Sequence, residues 1–132
     1  MSSPSPASPA LPDLNVLVAA AWPNHLHHRA ARRWFMEQAG RGWATCPVTQ
    51  FGFLRLSSNP RIVEDAVSPQ EARLLLERMT RFGDHRFWPD DLDWTREWDL
   101  LPLSRMTGHR QVTDAYLLAL ALKHGGRLVT LD

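Results

Sequence analysis

The chain has 132 residues, 44% of them hydrophobic and 22% charged, with a net charge of +1. That is the make-up of a single globular domain able to bury roughly two-thirds of its unfolded surface, which excludes a second domain and a disordered chain. The longest strictly apolar run, Ala115 to Leu122, is far too short to cross a bilayer, so no membrane partner is expected. The lone Cys46 allows no internal disulfide and offers no zinc-ligand spacing, which points to a reducing, cytoplasmic setting with Cys46 in the core. So small a net charge does not by itself indicate a nucleic-acid partner. The basic residues are nonetheless fourteen arginines against Lys123 alone. Arginine's fork suits phosphates, although codon bias explains the excess equally well.

In chain order, residues 1–10 open as a Ser/Pro-rich, low-complexity lead-in, lacking the apolar stretch of a signal peptide and the arginines of a transit peptide. The domain is expected over residues 11–132. Leu11 to Leu14 reads as a short strand. Val16 to Trp22 fits strand or helix by periodicity, and Asn15 as an N-cap favours helix. His25 to Ala39 is an amphipathic helix carrying Leu26, Ala30, Ala31, Trp34 and Phe35 on one face and stopped by Gly40. Trp43 to Cys46 fits a short buried strand. After Pro47, Thr49 to Leu56 fits a helix ended by Ser57-Ser58-Asn59-Pro60, with Gln50 near its start.

Ser68-Pro69-Gln70-Glu71 combines an N-cap serine, a proline in the first helical position and a glutamate three residues after the cap. The helix it opens carries Leu74, Leu75, Met79 and Phe82 on its apolar face. His85 to Pro89 is a candidate strand, and Asp90 to Leu101 a short helix or loop. Ala115 to Leu122, apolar all round, reads as a helix buried between layers and is stopped by Gly125-Gly126. Arg127 to Leu131 closes the sequence as a core strand. Strands alternating with helices predict a parallel sheet with flanking helices, in which ligands bind off the carboxyl ends of the strands.

Three aspartates stand where apolar segments start or stop. Asp13 and Asp132 sit at strand ends, and Asp114 heads a helix. Carboxylates converging from such distant positions repel one another unless a cation joins them, and hard oxygen donors select magnesium or manganese. A metal held this way serves hydrolysis of a phosphate ester.

Four stretches, in this order and spacing, carry a resemblance: Pro12-Asp13-Leu14-Asn15-Val16-Leu17, Val48-Thr49-Gln50-Phe51-Gly52-Phe53-Leu54-Arg55-Leu56-Ser57-Ser58-Asn59-Pro60, Val112-Thr113-Asp114-Ala115-Tyr116-Leu117-Leu118-Ala119-Leu120-Ala121 and Arg127-Leu128-Val129-Thr130-Leu131-Asp132. From about residue 11 onward the chain resembles PIN-domain ribonucleases of the VapC type, the toxins of toxin–antitoxin pairs. The resemblance implies a three-layer α/β/α sandwich around a central, mostly parallel sheet. It also implies an endoribonuclease dependent on Mg2+ or Mn2+, in which a water attacks the RNA phosphodiester. As partners it implies a VapB-type antitoxin, an RNA substrate and a second copy of the chain. Asp13, Asp114 and Asp132 match the family's metal-binding acids. Gln50 stands where many members have glutamate, which leaves three anions rather than four and predicts weaker metal binding, with Gln50 lining the site or simply packing at the helix start. PIN domains usually continue past the position of Asp132 with another helix and an edge strand. Their absence from this sequence leaves that edge to another subunit or to residues beyond it.

Around these acids, Asn15, Thr113 and Thr130 are candidates to orient a carboxylate or a ligand water, with capping and strand roles as alternatives. Arg55 and His109 are candidate RNA contacts, with an exposed helix arginine the stronger reading of Arg55. His25, His27 and His28 lack a third ligand at suitable spacing and read as helix-start or surface residues. The six tryptophans read mainly as core or interface residues, with stacking on RNA bases the lesser alternative.

Two rivals stay open. A haloacid-dehalogenase-like phosphatase also places an aspartate after its first strand, but it wants a second acid where Asn15 stands and a lysine unlike the solitary Lys123. A catalytically weak PIN domain acting by RNA or protein binding is favoured by Gln50.

Overall fold

A computed structural model of the protein describes residues 8–97 and 108–131. Four strands, β1 (Ala10–Pro12), β2 (Trp43–Thr45), β3 (His85–Phe87) and β4 (Arg127–Val129), form one sheet in the order β3-β2-β1-β4. Every pairing is parallel, in the registers Ala10↔Trp43, Ala10↔Arg127 and Trp43↔His85. The helices are α1 (Leu14–Ala21), α2 (His28–Gln38), α3 (Pro47–Ser57), α4 (Pro69–Thr80) and α5 (Val112–Lys123). Each parallel step needs a helical crossover, and the two crossovers from β1 to β3 lie on one face of the sheet while α5 returns the chain across the other.

The two faces have separate cores. On one, Leu11, Ala44, Cys46, Trp88 and Leu92 pack against Ala115, Tyr116, Leu117, Leu120 and Ala121 of α5. On the other, Val16, Leu17, Phe35, Trp43, Phe53 and Leu76 join α1 to α4. Successive strand residues such as Trp43 and Ala44 point to opposite faces, so the two inner strands, β1 and β2, are buried on both sides. The result is the expected three-layer α/β/α architecture.

Several element boundaries differ from the sequence reading, each for a local reason. β1 begins at Ala10 and stops at Pro12 rather than running to Leu14, because the Asp13 carboxylate accepts the Val16 amide N–H at 2.9 Å and starts α1 there. Asp13, not Asn15, is therefore the N-cap. The predicted helix from His25 is shortened to begin at His28. His25 Nδ1 accepts the His27 amide N–H at 3.0 Å, a local turn that competes with helix, and Leu26 is left 88% exposed.

The Ser68 capping box of α4 forms as expected, but Ala72 and Leu76 carry the buried face while Leu74 and Phe82 stay partly exposed. α5 is not buried all round, since Leu118 and Leu122 face solvent. β3 covers only His85–Phe87 and β4 only Arg127–Val129. Residues 90–97 are irregular with a turn at 94–96, and the rest of that expected segment lies outside the described residues. At the opposite end of the sheet, Gly126 lets β4 approach β1 closely, because a Cβ there would meet the Pro9 carbonyl oxygen at 2.4 Å and the Trp88 ring at 2.6 Å.

Candidate metal and RNA site

The strand order reverses direction between β1 and β4, and a crevice opens at such a switch point beyond the carboxyl ends of the strands. Asp13 sits there. It follows β1 directly, its backbone N–H donates to the Val129 carbonyl of β4 at 2.9 Å, and it is 8% exposed. A carboxylate so enclosed gains from the N–H groups and positive end of the α1 dipole. Its place is thus fixed from both strands and from the helix that it caps.

Gln50 reaches the same edge from the next strand, because α3 begins directly after β2 and Gln50 lies in its first turns. Its Nε2 donates to Thr45 Oγ1 at 2.9 Å, and Thr45 Oγ1, fully buried, lies 2.8 Å from His85 Nε2. Burial holds the His85 pKa below its ordinary value, against an opposing pull from Asp84. In the neutral ring the network assigns Nε2 as acceptor of the Thr45 hydroxyl proton. The amide of Gln50 is then oriented by its nitrogen, and Oε1 has no hydrogen-bond partner among the described residues.

α5 runs antiparallel to the β4 strand that it precedes, so its first turn also lies at the carboxyl edge. Asp114 occupies that turn, exposed and without a side-chain hydrogen bond among the described residues. The helix begins with Gln111 as N-cap, which makes Asp114 a first-turn residue and not the cap. Thr113 beside it is exposed, as is His109 in the 3-10 turn His109–Gln111 that leads into α5. Thr130 follows β4 and is exposed, while Asn15 is exposed on α1. Arg55 lies in the last turn of α3, away from the carboxyl edge that Gln50 reaches. Asp132 lies outside the described residues.

Asp13, Gln50, Asp114 and Thr130 therefore share one edge, and Arg55 does not. Among the described residues no three His, Cys, Asp or Glu side chains form a group able to hold a metal. The donors at the edge are nonetheless all oxygen, two carboxylates and an amide, which is the donor chemistry of magnesium or manganese and not of zinc.

The sequence reading missed a neighbouring constellation. Asp90, three residues past β3, accepts the Tyr116 hydroxyl of α5, and Trp94 stacks on the Tyr116 ring with centroids 5.7 Å apart at 16°. Burial, and then Asp90, push the Tyr116 pKa far above its ordinary value, so the phenol stays a donor. The signal was the rule that singled out Asp13, an acid just past a strand, applied to Trp88-Pro89-Asp90. Of the three clustered histidines, His28 opens α2 and its Nδ1 lies 2.8 Å from the Ala19 carbonyl oxygen. No helix among the described residues is long and apolar enough to cross a membrane.

A family model described as the PIN domain matches residues 10–132. Curated relatives from Mycobacterium tuberculosis (strain ATCC 25618 / H37Rv) include "Ribonuclease VapC39", 44% identical over 93% of this chain and 88% of that protein. "Ribonuclease VapC38" of the same strain is 48% identical over 93% of this chain and 84% of its own length. "Ribonuclease VapC44" is 44% identical over 93% of this chain and 85% of its own. With the matching parallel sheet and an aspartate at its switch point, these similarities establish that the chain belongs to the PIN-domain family, in its VapC-type group.

Proposed function

We propose that this protein is an endoribonuclease toxin that cleaves RNA phosphodiester bonds with Mg2+ or Mn2+ held by Asp13, Asp114 and Asp132, and that a cognate VapB-type antitoxin neutralises it. The observation that carries the reading is Asp13, a carboxylate 8% exposed and anchored between β1 and β4 at the switch point of a chain whose relatives are named ribonucleases.

The metal, when bound, supplies charge neutralisation on the scissile phosphate and a more acidic water. The chain's own groups divide the remaining work. Asp13 and Asp114 present oxygen donors from opposite sides of the crevice, one rigid and one exposed. Gln50, oriented through Thr45 and His85, offers Oε1 to accept a proton-bearing group without adding charge. Thr113 and Thr130 flank two of the acids, and His109 lies on the approach to α5 as an RNA contact.

A second copy of the chain fits the exposed Leu118 and Leu122 on α5. A cytoplasmic site of action follows from the RNA substrate. A binding-only PIN domain is the second reading, favoured by the uncharged Gln50. Incubation of the protein with structured RNA in Mg2+ separates the two: cleavage that EDTA and Asp13→Asn each abolish supports the nuclease, and equal cleavage by both proteins overturns it.

A further inference from the structure

Beside Asp114 lies a hollow of about 200 Å3 lined by Val48, Asp90, Trp94, Val112, Thr113 and Tyr116. It is smaller than the roughly 300 Å3 at which pockets for drug-sized ligands begin, which suits one planar ring system. Trp94 has one face stacked on Tyr116 and is 39% exposed overall, so an indole surface is already held rigid and open to a ligand. Val48 and Val112 give apolar walls, and Val112 is itself partly exposed.

The polar groups are selective. Asp90 Oδ1 is taken by the Tyr116 hydroxyl, which fixes the carboxylate, and Oδ2 has no hydrogen bond among the described residues. An ionised carboxylate only accepts, so it reads a donor on the ligand. Thr113, adjacent in sequence to Asp114, brings a hydroxyl to the same hollow. Stacking with hydrogen bonding at a base edge is the way single-stranded RNA is recognised.

We propose that this hollow is a nucleobase subsite, in which Trp94 stacks a base next to the cleavage centre and Asp90 selects one that carries an exocyclic amine, adenine, cytosine or guanine, over uracil, which carries none. The proposal rests on the ribonuclease reading for its biological role, but it can be tested without cleavage. Fluorescence-labelled A8, C8 and U8 oligoribonucleotides are titrated in EDTA against the full chain and the Trp94→Ala, Trp94→Phe and Asp90→Asn variants, with binding read by anisotropy.

The wild type binds A8 and C8 more tightly than U8. Trp94→Ala weakens A8 binding by about five- to a hundred-fold, the range expected for loss of one stacked base, and Trp94→Phe retains most of it. Asp90→Asn keeps an oxygen for Tyr116 but turns the remaining acceptor into a donor, which shifts preference toward carbonyl-bearing uracil. No saturable A8 binding, or equal A8 and U8 binding that Trp94→Ala and Asp90→Asn leave unchanged, overturns the subsite. Cleavage of structured RNA in Mg2+ is mapped in parallel. Base preference without any cleavage defeats the ribonuclease reading and leaves the subsite standing; cleavage at the same positions and rate in both Trp94 variants does the reverse.

Discussion

Asp13 has two roles that a pair of substitutions separates. Its carboxylate caps α1 through the Val16 amide, and it is proposed to hold a metal. Asparagine caps as well as aspartate, so Asp13→Asn leaves that bond in place and removes only the charge. Alanine removes both. Loss of the cap costs about 1 kcal/mol. A chain of 132 residues unfolds with an entropy of roughly 0.28 kcal/mol/K, so Asp13→Ala lowers Tm by about 4 °C in EDTA and Asp13→Asn hardly at all. Mg2+ at ten times its Kd adds about 1.4 kcal/mol to the wild type, or about 5 °C, and adds nothing to either variant. Differential scanning fluorimetry with and without Mg2+ gives all six values. If Asp13→Asn loses as much stability in EDTA as Asp13→Ala, the capping argument is wrong. If it keeps the Mg2+ shift, Asp13 is not a metal ligand.

Gln50→Glu restores a fourth anion at the edge and should tighten Mn2+ binding about tenfold or more in calorimetry, in keeping with the strength of charged over neutral oxygen partners; an unchanged Kd places Gln50 outside the site. Gly126→Ala should destabilise the fold by about 1–3 kcal/mol, because its Cβ would meet the Pro9 carbonyl at 2.4 Å, and urea melts that match the wild type would show that β4 can shift freely. Burial lowers the His85 pKa in the folded state, so the unfolded chain takes up a proton first as pH falls below about 6.5. Stability contributed by the neutral ring is thus intact above that pH and declines below it until the folded ring protonates. His85→Gln should flatten Tm against pH between 7.5 and 5, leaving a smaller slope from His25, whose pKa is also lowered, first by burial and then by His27 and His28. An undiminished slope would exonerate His85.

The fold was legible where one residue type answers one backbone demand. Ser68-Pro69-Gln70-Glu71 opened α4 as expected because serine, proline and glutamate each satisfy a separate requirement of a helix start. The apolar run at 115–122 and the following glycines marked α5 and its end for a similar reason. Errors fell where neighbouring residues compete for one role. Asp13 and Asn15 both suit an N-cap, and α1 starts at Asp13, whose carboxylate accepts the Val16 N–H while its own N–H pairs with the Val129 carbonyl of β4. That pairing is long-range, and no local pattern contains it.

Of the candidate site, Asp13 and Asp114 were visible because they interrupt apolar segments at strand or helix ends, and Gln50 because it stands where the resembled family often has glutamate. The partners of Gln50 were not. Thr45 reads as an ordinary strand residue and His85 as a surface one until the β2–β3 register puts them 2.8 Å apart. Arg55 falls in the last turn of α3, away from that edge, because position along the helix decides which end of α3 a residue reaches.

The central strand is also the earliest made. β1 pairs with β4 over its whole length, Ala10 with Arg127 through Pro12 with Val129, although almost all of the described chain lies between them. Contacts of such long sequence separation form late, after the loop entropy has been spent. Asp13 is made well before β4 and has no β4 to lean on until translation has passed Val129. A nascent chain in which β4 has not yet been made therefore carries Asp13 without the strand whose Val129 carbonyl fixes it.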